Sequence, residues 1–167
     1  MGMYNHMEKS FAHGYKERSN LYRSRLAKWN SEAPIVRVDK PTNIARARKL
    51  GYKAKEGIIT VRVRIKGGTK KRAAHGGGRK PSKSGRFFSR KKSTQAIAEE
   101  RAARKYMNTE ALNSYFVGQS GSSKYYEIIL LDKANAQIQN DMQYKGIVSQ
   151  RGRAFRGLTS AGRKHKQ

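Results

Sequence analysis

The clearest strand pattern of the chain is Gly57-Ile58-Ile59-Thr60-Val61-Arg62-Val63-Arg64-Ile65. Apolar residues occupy every second position from Ile59 to Ile65, and threonine or arginine fills the positions between them. This two-residue period is typical of a strand with one face in a hydrophobic core. The opposite face is then expected to present the guanidinium groups of Arg62 and Arg64.

A basic, glycine-rich loop follows this strand and covers residues 66–92. From Arg62 to Lys92 the chain contains 13 Lys or Arg residues and no Asp or Glu. Such a segment buries too little apolar surface to offset the entropy lost on ordering, and its charges repel one another. We therefore expect the loop to need a polyanion that supplies the missing charge and contacts.

The whole chain shares this excess of positive charge. Its 167 residues include 38 Lys or Arg and 11 Asp or Glu, which gives a net charge of +27. Self-repulsion of this size indicates a polyanionic partner. Hydrophobic residues make up only 36% of the chain, so the core is expected to be small.

Several classes of protein are excluded by what the sequence lacks. The chain has no cysteine, so neither disulfides nor cysteine zinc sites are expected, and the spacing of its four histidines indicates no metal site. The longest aliphatic run, Ile128 to Leu131, is far too short to span a membrane. Residues 1–30 carry charges every few positions, unlike a signal peptide. These features predict an intracellular protein that is not associated with a membrane and binds no cofactor.

The first part of the chain, residues 3–30, is predicted to be helical with a weak point at Gly14. Tyr22, Leu26 and Trp29 form one apolar stripe at helical spacing, and most basic residues lie off it. A helix of this kind fits between a protein core and an RNA surface. The alternative is an ordinary solvated basic face.

Two short elements are predicted between this helical region and the strand at residues 57–65. Residues 35–39 lie between two prolines and are expected to form a short strand or an extended connection. Thr42 or Asn43 is a suitable N-cap for a helix that ends near Leu50, with Gly51 as its left-handed C-cap.

After the basic loop, the pattern predicts one helix and a hairpin. The helix covers residues 95–107 and is capped by Ser93 or Thr94. Strands are expected at residues 112–117 and 125–132, the second of them central because its middle is continuously apolar. A short helix is expected within residues 134–139.

No pattern for catalysis is present. Glu99 and Glu100 are adjacent on a predicted helix, so their side chains diverge by about 100° and do not converge on one substrate atom. The chain contains no Gly-Lys-Ser or Gly-Lys-Thr of a phosphate-binding loop and no nucleophile elbow. We therefore predict that the protein is not an enzyme and has no small-molecule substrate.

Nucleic-acid binding is the function that these residues favour. Lys and Arg neutralise phosphates, and glycine lets the backbone approach a strand closely. Phe87 and Phe88 either stack on unpaired bases or pack under the loop, and the sequence does not separate these alternatives. The candidate RNA-binding residues are Arg46, Arg48, Lys49, Lys53, Lys55, Arg62, Arg64, Lys66, Lys70, Lys71, Arg72, His75, Arg79, Lys80, Lys83, Arg86, Phe87, Phe88, Arg90, Lys91, Lys92, Arg151, Arg153, Arg156, Arg163 and Lys164. From composition alone, a DNA-binding, chromatin-like protein is the alternative.

Five motifs occur along nearly the whole chain and share one order with a known family. They are Ala47-Arg48-Lys49-Leu50-Gly51-Tyr52-Lys53-Ala54-Lys55-Glu56-Gly57, Gly67-Gly68-Thr69-Lys70-Lys71-Arg72, Ala98-Glu99-Glu100-Arg101-Ala102, Leu112-Asn113-Ser114-Tyr115-Phe116-Val117-Gly118 and Arg156-Gly157-Leu158-Thr159-Ser160-Ala161-Gly162-Arg163-Lys164. In these motifs the chain resembles the archaeal and eukaryotic 15e family of large-subunit ribosomal proteins. Its short length and its Thr-Lys-Lys-Arg loop look more archaeal than eukaryotic.

The resemblance implies an α+β fold with a small, mostly antiparallel sheet sandwiched by helices. It implies that residues 1–141 form a single rRNA-binding domain with a basic insertion loop at 66–92. Residues 142–167 are then expected to be a basic C-terminal extension. The implied role is a structural constituent of the large ribosomal subunit in the cytoplasm. Its partners would be 23S-type rRNA and neighbouring ribosomal proteins.

Overall fold

The computed structural model of the chain describes residues 2–68, 76–83 and 89–164. Within these ranges the helices are α1 (Met3–Lys16), α2 (Asn20–Ser31), α3 (Ile44–Lys49), α4 (Thr94–Lys105), α5 (Ala136–Gln139), α6 (Lys145–Val148) and α7 (Ser160–Arg163). The strands are β1 (Ile35–Val38), β2 (Ile58–Lys66), β3 (Thr109–Ser120) and β4 (Ser123–Asp132), and a short 3-10 helix covers Pro81–Lys83.

The four strands form one open antiparallel sheet in the order β1-β2-β4-β3. Strand β2, which the alternation at residues 57–65 predicted, pairs along its whole length with β4, and Val61 lies opposite Ile128. Strand β4 has a partner on each side, which confirms that its apolar run is central. The α+β class predicted from the resemblance is confirmed.

Helices cover both faces of the sheet because strand β4 carries apolar side chains on each side, whereas those of β2 lie mainly on one side. On one face Val61, Val63, Ile128 and Leu130 pack against Ala98 and Ala102 of α4, and these alanines allow close approach. On the other face, the side chains that pack against Trp29 of α2 and Ala47 of α3 are Ile129, Tyr125, Tyr115 and Val117. Neighbouring residues of β4 therefore lie in two different cores.

The polar face of β2 is covered, which corrects one expectation. The Arg62 side chain was expected to project outward, but Arg62 is only 9% exposed. Its guanidinium forms an ion pair with Glu32 and lies 4.7 Å from the centre of the Trp29 ring. The reason is that α2 packs over this face, which the alternating pattern of a single strand does not reveal.

The N-terminal helical region breaks three residues later than predicted. Gly14 stays inside α1, and the chain turns at Glu17–Ser19, where Arg18 adopts a left-handed backbone with φ of 52°. Ser19 then caps α2, since its side chain accepts a hydrogen bond from the Tyr22 amide. A capping hydroxyl thus starts the second helix, whereas glycine alone did not end the first.

The other predicted caps are confirmed. The Asn43 side chain accepts from the Arg46 amide at the start of α3, and Gly51 follows that helix with φ of +97°. The Ser93 side chain accepts from the Ala96 amide at the start of α4. Side-chain caps are local interactions, so sequence spacing is sufficient to find them.

Strands β3 and β4 are longer than the predicted strands. Most of the expected connecting loop is paired, and the turn itself consists of Gly121 and Ser122. Register shifts between Ala111 and Asn113 and between Phe116 and Gly118 interrupt the alternation on β3. These bulges hide the strand from an analysis that looks for a strict two-residue period.

Residues 142–164, the described part of the predicted C-terminal extension, pack on the fold. Tyr144 is buried beside Leu131 and Ile138, and its hydroxyl donates to the Gly51 carbonyl at 2.7 Å. The Arg153 guanidinium donates to the Ala111 carbonyl on β3 at 2.9 Å. The boundary drawn at residue 141 remains a prediction.

Candidate nucleic-acid interface

Carboxylates are scarce in this chain, and the fold uses several of them internally. Glu127, on the central strand, is fully buried. Its carboxylate accepts from the amide and the hydroxyl of Thr42 and from the hydroxyl of Tyr115. One acidic side chain thus joins the chain before α3 to strands β3 and β4 and contributes no negative charge to the surface.

Glu99 on α4 is also buried and joins three elements. Its carboxylate accepts from the Ser114 hydroxyl on β3 and from the Thr159 hydroxyl, 2.5 Å away, at the start of α7. Burial raises the pKa of Glu99, although both hydroxyls favour the charged form. The surroundings of this carboxylate explain its structural role and indicate no access for a substrate.

Glu110 and Asp141 hold the C-terminal residues in place. Glu110 accepts from the Gly152 and Arg153 amides and lies 2.6 Å from the Lys133 ammonium. Burial raises the pKa of Glu110, but these hydrogen bonds outweigh it, so the pKa lies below its ordinary value. The hydrogen bond from Lys55 lowers the pKa of Asp141 to about 2.

A cavity of about 380 Å³ lies at one edge of the sheet and is lined by basic side chains. We call it the edge cavity, and its lining residues are Pro34, Arg64, Ile65, Lys66, Arg90, Ile97 and Arg101. Strand β1 pairs with β2 as far as Val63, and the Arg64 amide still donates to the Pro34 carbonyl at 2.8 Å, so the cavity lies where this pairing ends. Four cationic side chains meet here: Arg64 and Lys66 from β2, Arg90 from the described end of the basic loop, and Arg101 from α4.

The guanidinium groups of the edge cavity are positioned by neutral acceptors. Arg64 donates to the Asn30 carbonyl at 2.6 Å, and Arg90 donates to the Lys66 carbonyl at 3.0 Å. Among the ion pairs of the described residues, none involves Arg64, Lys66, Arg90 or Arg101. The cavity therefore keeps its full positive charge and suits an anionic ligand.

The predicted residues of α3 and the following turn form a second basic region. Arg46, Arg48 and Lys49 are exposed on α3, and Lys49 lies 2.6 Å from Glu8 of α1. Lys53 and Lys55 lie 5.3 and 5.6 Å from the centre of the Tyr144 ring. Both also contact Asp141, so their charge is partly compensated.

The remaining described candidates divide into exposed and buried side chains. Those that are exposed are Arg79, Lys80, Lys91, Lys92, Arg151, Arg156, Arg163 and Lys164. Lys92 forms an ion pair with Glu100 at 2.5 Å. Arg153 is only 8% exposed and is used within the fold, as Arg62 is. Protein groups surround the guanidiniums of these two residues, and RNA binding by them stays a prediction.

Part of the predicted site lies outside the described residues. This applies to Lys70, Lys71, Arg72, His75, Arg86, Phe87 and Phe88. Lys83 is described only as the last residue of the short 3-10 helix. RNA binding by these residues stays a prediction.

Sequence reasoning missed three residues on the basic surface. Arg101 lines the edge cavity, and Arg104 lies 5.9 Å from the centre of the Phe155 ring. Phe155 itself is 46% exposed. Neither arginine was among the candidate RNA-binding residues. An isolated phenylalanine in a basic segment was the available signal for Phe155.

Membrane spans and metal sites are both absent from the part of the chain that the structure describes. None of the helices within residues 2–68, 76–83 and 89–164 has the length and apolar character needed to cross a membrane. In those ranges, the His, Asp and Glu side chains form no group of three that could hold a metal ion.

A comparison with protein-family models identifies the relatives of this basic fold. The family described as Ribosomal L15 matches residues 2–167. This match confirms the resemblance found in the five motifs and extends over almost the entire sequence. The chain therefore belongs to the L15e family of ribosomal proteins, which are structural components of the cytoplasmic large ribosomal subunit.

Proposed function

We propose that the protein binds large-subunit rRNA through its basic surface and thereby stabilises the folded RNA. The observation that carries this proposal is the edge cavity, where four cations converge without a carboxylate partner among the described residues. Phosphate is the anion that a large-subunit particle offers in abundance, and the family membership supports rRNA as its source.

The edge cavity is prepared for phosphate before binding. Hydrogen bonds to main-chain carbonyls already restrict Arg64 and Arg90, so less side-chain entropy is lost when an anion enters. A planar guanidinium can also donate two parallel hydrogen bonds to one phosphate. Lys66 and Arg101 are exposed and add charge around these fixed groups.

The other basic regions extend this interface over the surface. Exposed cations that we propose as phosphate contacts are Arg46, Arg48, Lys49, Lys53, Arg79, Lys80, Lys91, Lys92, Arg151, Arg156, Arg163 and Lys164. Internal use of Glu99, Glu110 and Glu127 leaves this surface with few negative groups. The protein then acts by neutralising phosphates of RNA segments that would otherwise repel one another, and no chemical step is required.

The test is RNA affinity as a function of salt for a paired variant, Lys66→Gln with Arg101→Gln. Both side chains are exposed, so the fold should be retained. Each lost phosphate contact lowers the salt slope by about one unit, so the variant should lose about two. The matched control is Lys40→Gln with Lys145→Gln, which removes the same charge from exposed positions elsewhere.

The probe is in vitro transcribed large-subunit rRNA, with duplex DNA of equal length as competitor. We expect the wild-type protein to prefer the rRNA and the control variant to keep nearly the wild-type slope. If the salt dependence of RNA affinity has the same slope in both double variants, the edge cavity contributes no more to RNA binding than other exposed cations do. Equal affinity for rRNA and duplex DNA would contradict the proposed function, and the family match does not support that DNA-binding alternative.

A further inference from the structure

A second cavity, of about 160 Å³, lies between α4 and the turn at residues 153–157. We call it the Phe155 cavity. Its lining includes Phe155, the buried Ala96 and Ala154, and the exposed Lys91 and Arg156. It is separate from the edge cavity and shares no lining residue with it. Its size is comparable to that of one flat nucleobase.

The cavity has a bare backbone wall because two glycines touch there. A Cβ atom on Gly162 would lie 2.6 Å from the Cα atom of Gly157. Gly157 also has φ of 67°, a left-handed conformation that other residues rarely adopt. Gly157 and Gly162 thus pack main chain to main chain, and neither adds a side chain to the lining of the cavity.

Phe155 is unusual as an exposed aromatic residue on a strongly basic surface. Nearly half of the residue, 46%, is accessible, although the neighbouring Ala154 is buried in the core. The Arg104 guanidinium lies 5.9 Å from the centre of the ring. The chain thus presents a half-exposed aromatic ring that is available for stacking.

Charges around the Phe155 cavity indicate a ligand that carries phosphate. Arg156 is held by a hydrogen bond to the Arg151 carbonyl at 2.9 Å, a neutral acceptor that leaves its charge uncompensated. Glu100 is the carboxylate in the lining, and its ion pair with Lys92 at 2.5 Å compensates it. A ligand with one apolar, flat part and one anionic part fits this combination.

We propose that the Phe155 cavity binds a single unpaired base of the RNA, stacked on the Phe155 ring, with the adjoining phosphate at Arg156 and Lys91. This inference rests on the proposed function, since it assigns one position on the protein that contacts an unpaired base of the bound rRNA. Unpaired bases of RNA commonly stack on aromatic side chains, whereas paired bases are not accessible for such contact. The edge cavity would contact phosphates only, and the Phe155 cavity would add a requirement for a base.

The experiment compares two single-stranded RNA probes that differ at one position. One carries a central 2-aminopurine, a fluorescent base, and the other carries an abasic site there. We expect the full-length protein to bind the first about 5- to 150-fold more tightly, the range that base–aromatic stacking supplies. Binding should also quench the 2-aminopurine fluorescence.

Three variants make the outcome specific. Phe155→Ala should lose both the preference and the quenching, while Phe155→Tyr, which retains a stacking ring, should keep them. Thermal melts verify that each variant folds. Lys66→Gln with Arg101→Gln should weaken binding of both probes equally and leave their ratio unchanged. That result would separate the base requirement from phosphate contact.

The results distinguish failure of this inference from failure of the proposed function. If Phe155→Ala discriminates and quenches like the wild type, or if the wild type does not discriminate, the base site is wrong. Preference for rRNA over duplex DNA can still hold in that case. If instead the protein shows no preference for rRNA, the proposed function fails whatever the two probes report.

Discussion

Arg64 of β2 donates to the carbonyl oxygen of Asn30, 2.6 Å away, in the last turn of α2. This carbonyl belongs to a helix end, where main-chain acceptors lack partners within the helix. The same guanidinium lines the edge cavity beside Lys66 and Arg101. One residue thus joins the sheet to its covering helix and places a positive charge in the proposed interface.

Arg62, two residues earlier on the same strand, should matter for stability. Replacing it with alanine removes the ion pair with Glu32 and the cation beside Trp29. We expect Arg62→Ala to lower the free energy of unfolding by about 2 kcal/mol, as for a lost hydrogen bond to a charged group. Urea denaturation of the free protein measures this loss.

The matched control for that variant is Arg37→Ala, at an exposed position of the neighbouring strand β1. It should change the free energy of unfolding by no more than about 0.5 kcal/mol. If both variants lose the same stability, the buried position of Arg62 has no energetic consequence.

Each of the two faces of β4 should be needed for the stability of the fold. Ile128→Ala opens a cavity beside Val61 and α4, and Ile129→Ala opens one beside Trp29. Each should cost about 2–5 kcal/mol. Thermal melting followed by circular dichroism is the measurement, with Met142→Ala at a 95% exposed position as the control. A normal melt for either isoleucine variant would mean that its face of the sheet is not a core.

Asp141 should make stability depend on pH in the acid range. Its pKa is lowered from 3.8 to about 2, so it binds a proton less readily in the folded state. The stability that it contributes is therefore fully present above about pH 4 and is lost as the pH falls to about 2. Asp141→Asn should be less stable than the wild type at pH 5, and the difference should disappear towards pH 2.

Urea denaturation at several pH values between about 2 and 6 tests this dependence. Asp39→Asn, at an exposed position, is the control variant. A constant difference between Asp141→Asn and the wild type over this range would show that Asp141 does not act through its ionisation.

Gly162 should tolerate no side chain. In Gly162→Ala the new Cβ atom would lie 2.6 Å from the Gly157 Cα atom, a main-chain atom that cannot rotate away. We expect a loss of about 1–3 kcal/mol, typical of overpacking. Hydrogen exchange of residues 153–164 should increase, because this contact holds the turn against α7.

Gly146→Ala is the matched control, since no atom lies within 4 Å of its added Cβ and the residue is in helix α6. Replacing a helical glycine with alanine is expected to be neutral or stabilising by up to about 1 kcal/mol. Equal destabilisation by both variants would contradict close packing between Gly157 and Gly162.

Local interactions account for the parts of the fold that could be predicted from the sequence. The alternation of β2, the apolar run of β4 and the caps at Asn43 and Ser93 each depend on residues within a few positions of one another. Bulges in β3 broke the alternation, so its true length was not visible. Packing of Tyr144 and Arg153 against distant residues was also not visible, because the tail of which they are part contains many charges and glycines.

The sequence alone was sufficient to predict a net charge of +27, a central strand β4, a strand β2 with one face in the core, and the motifs of the L15e family. Which cations are available to an anion depends on the tertiary structure and could not be predicted from the sequence. Arg62 and Arg64 are two residues apart, yet one is buried against Glu32 and the other borders the edge cavity. The reason is physical: a charge is available or compensated according to its neighbours in space, and here those neighbours come from distant parts of the chain.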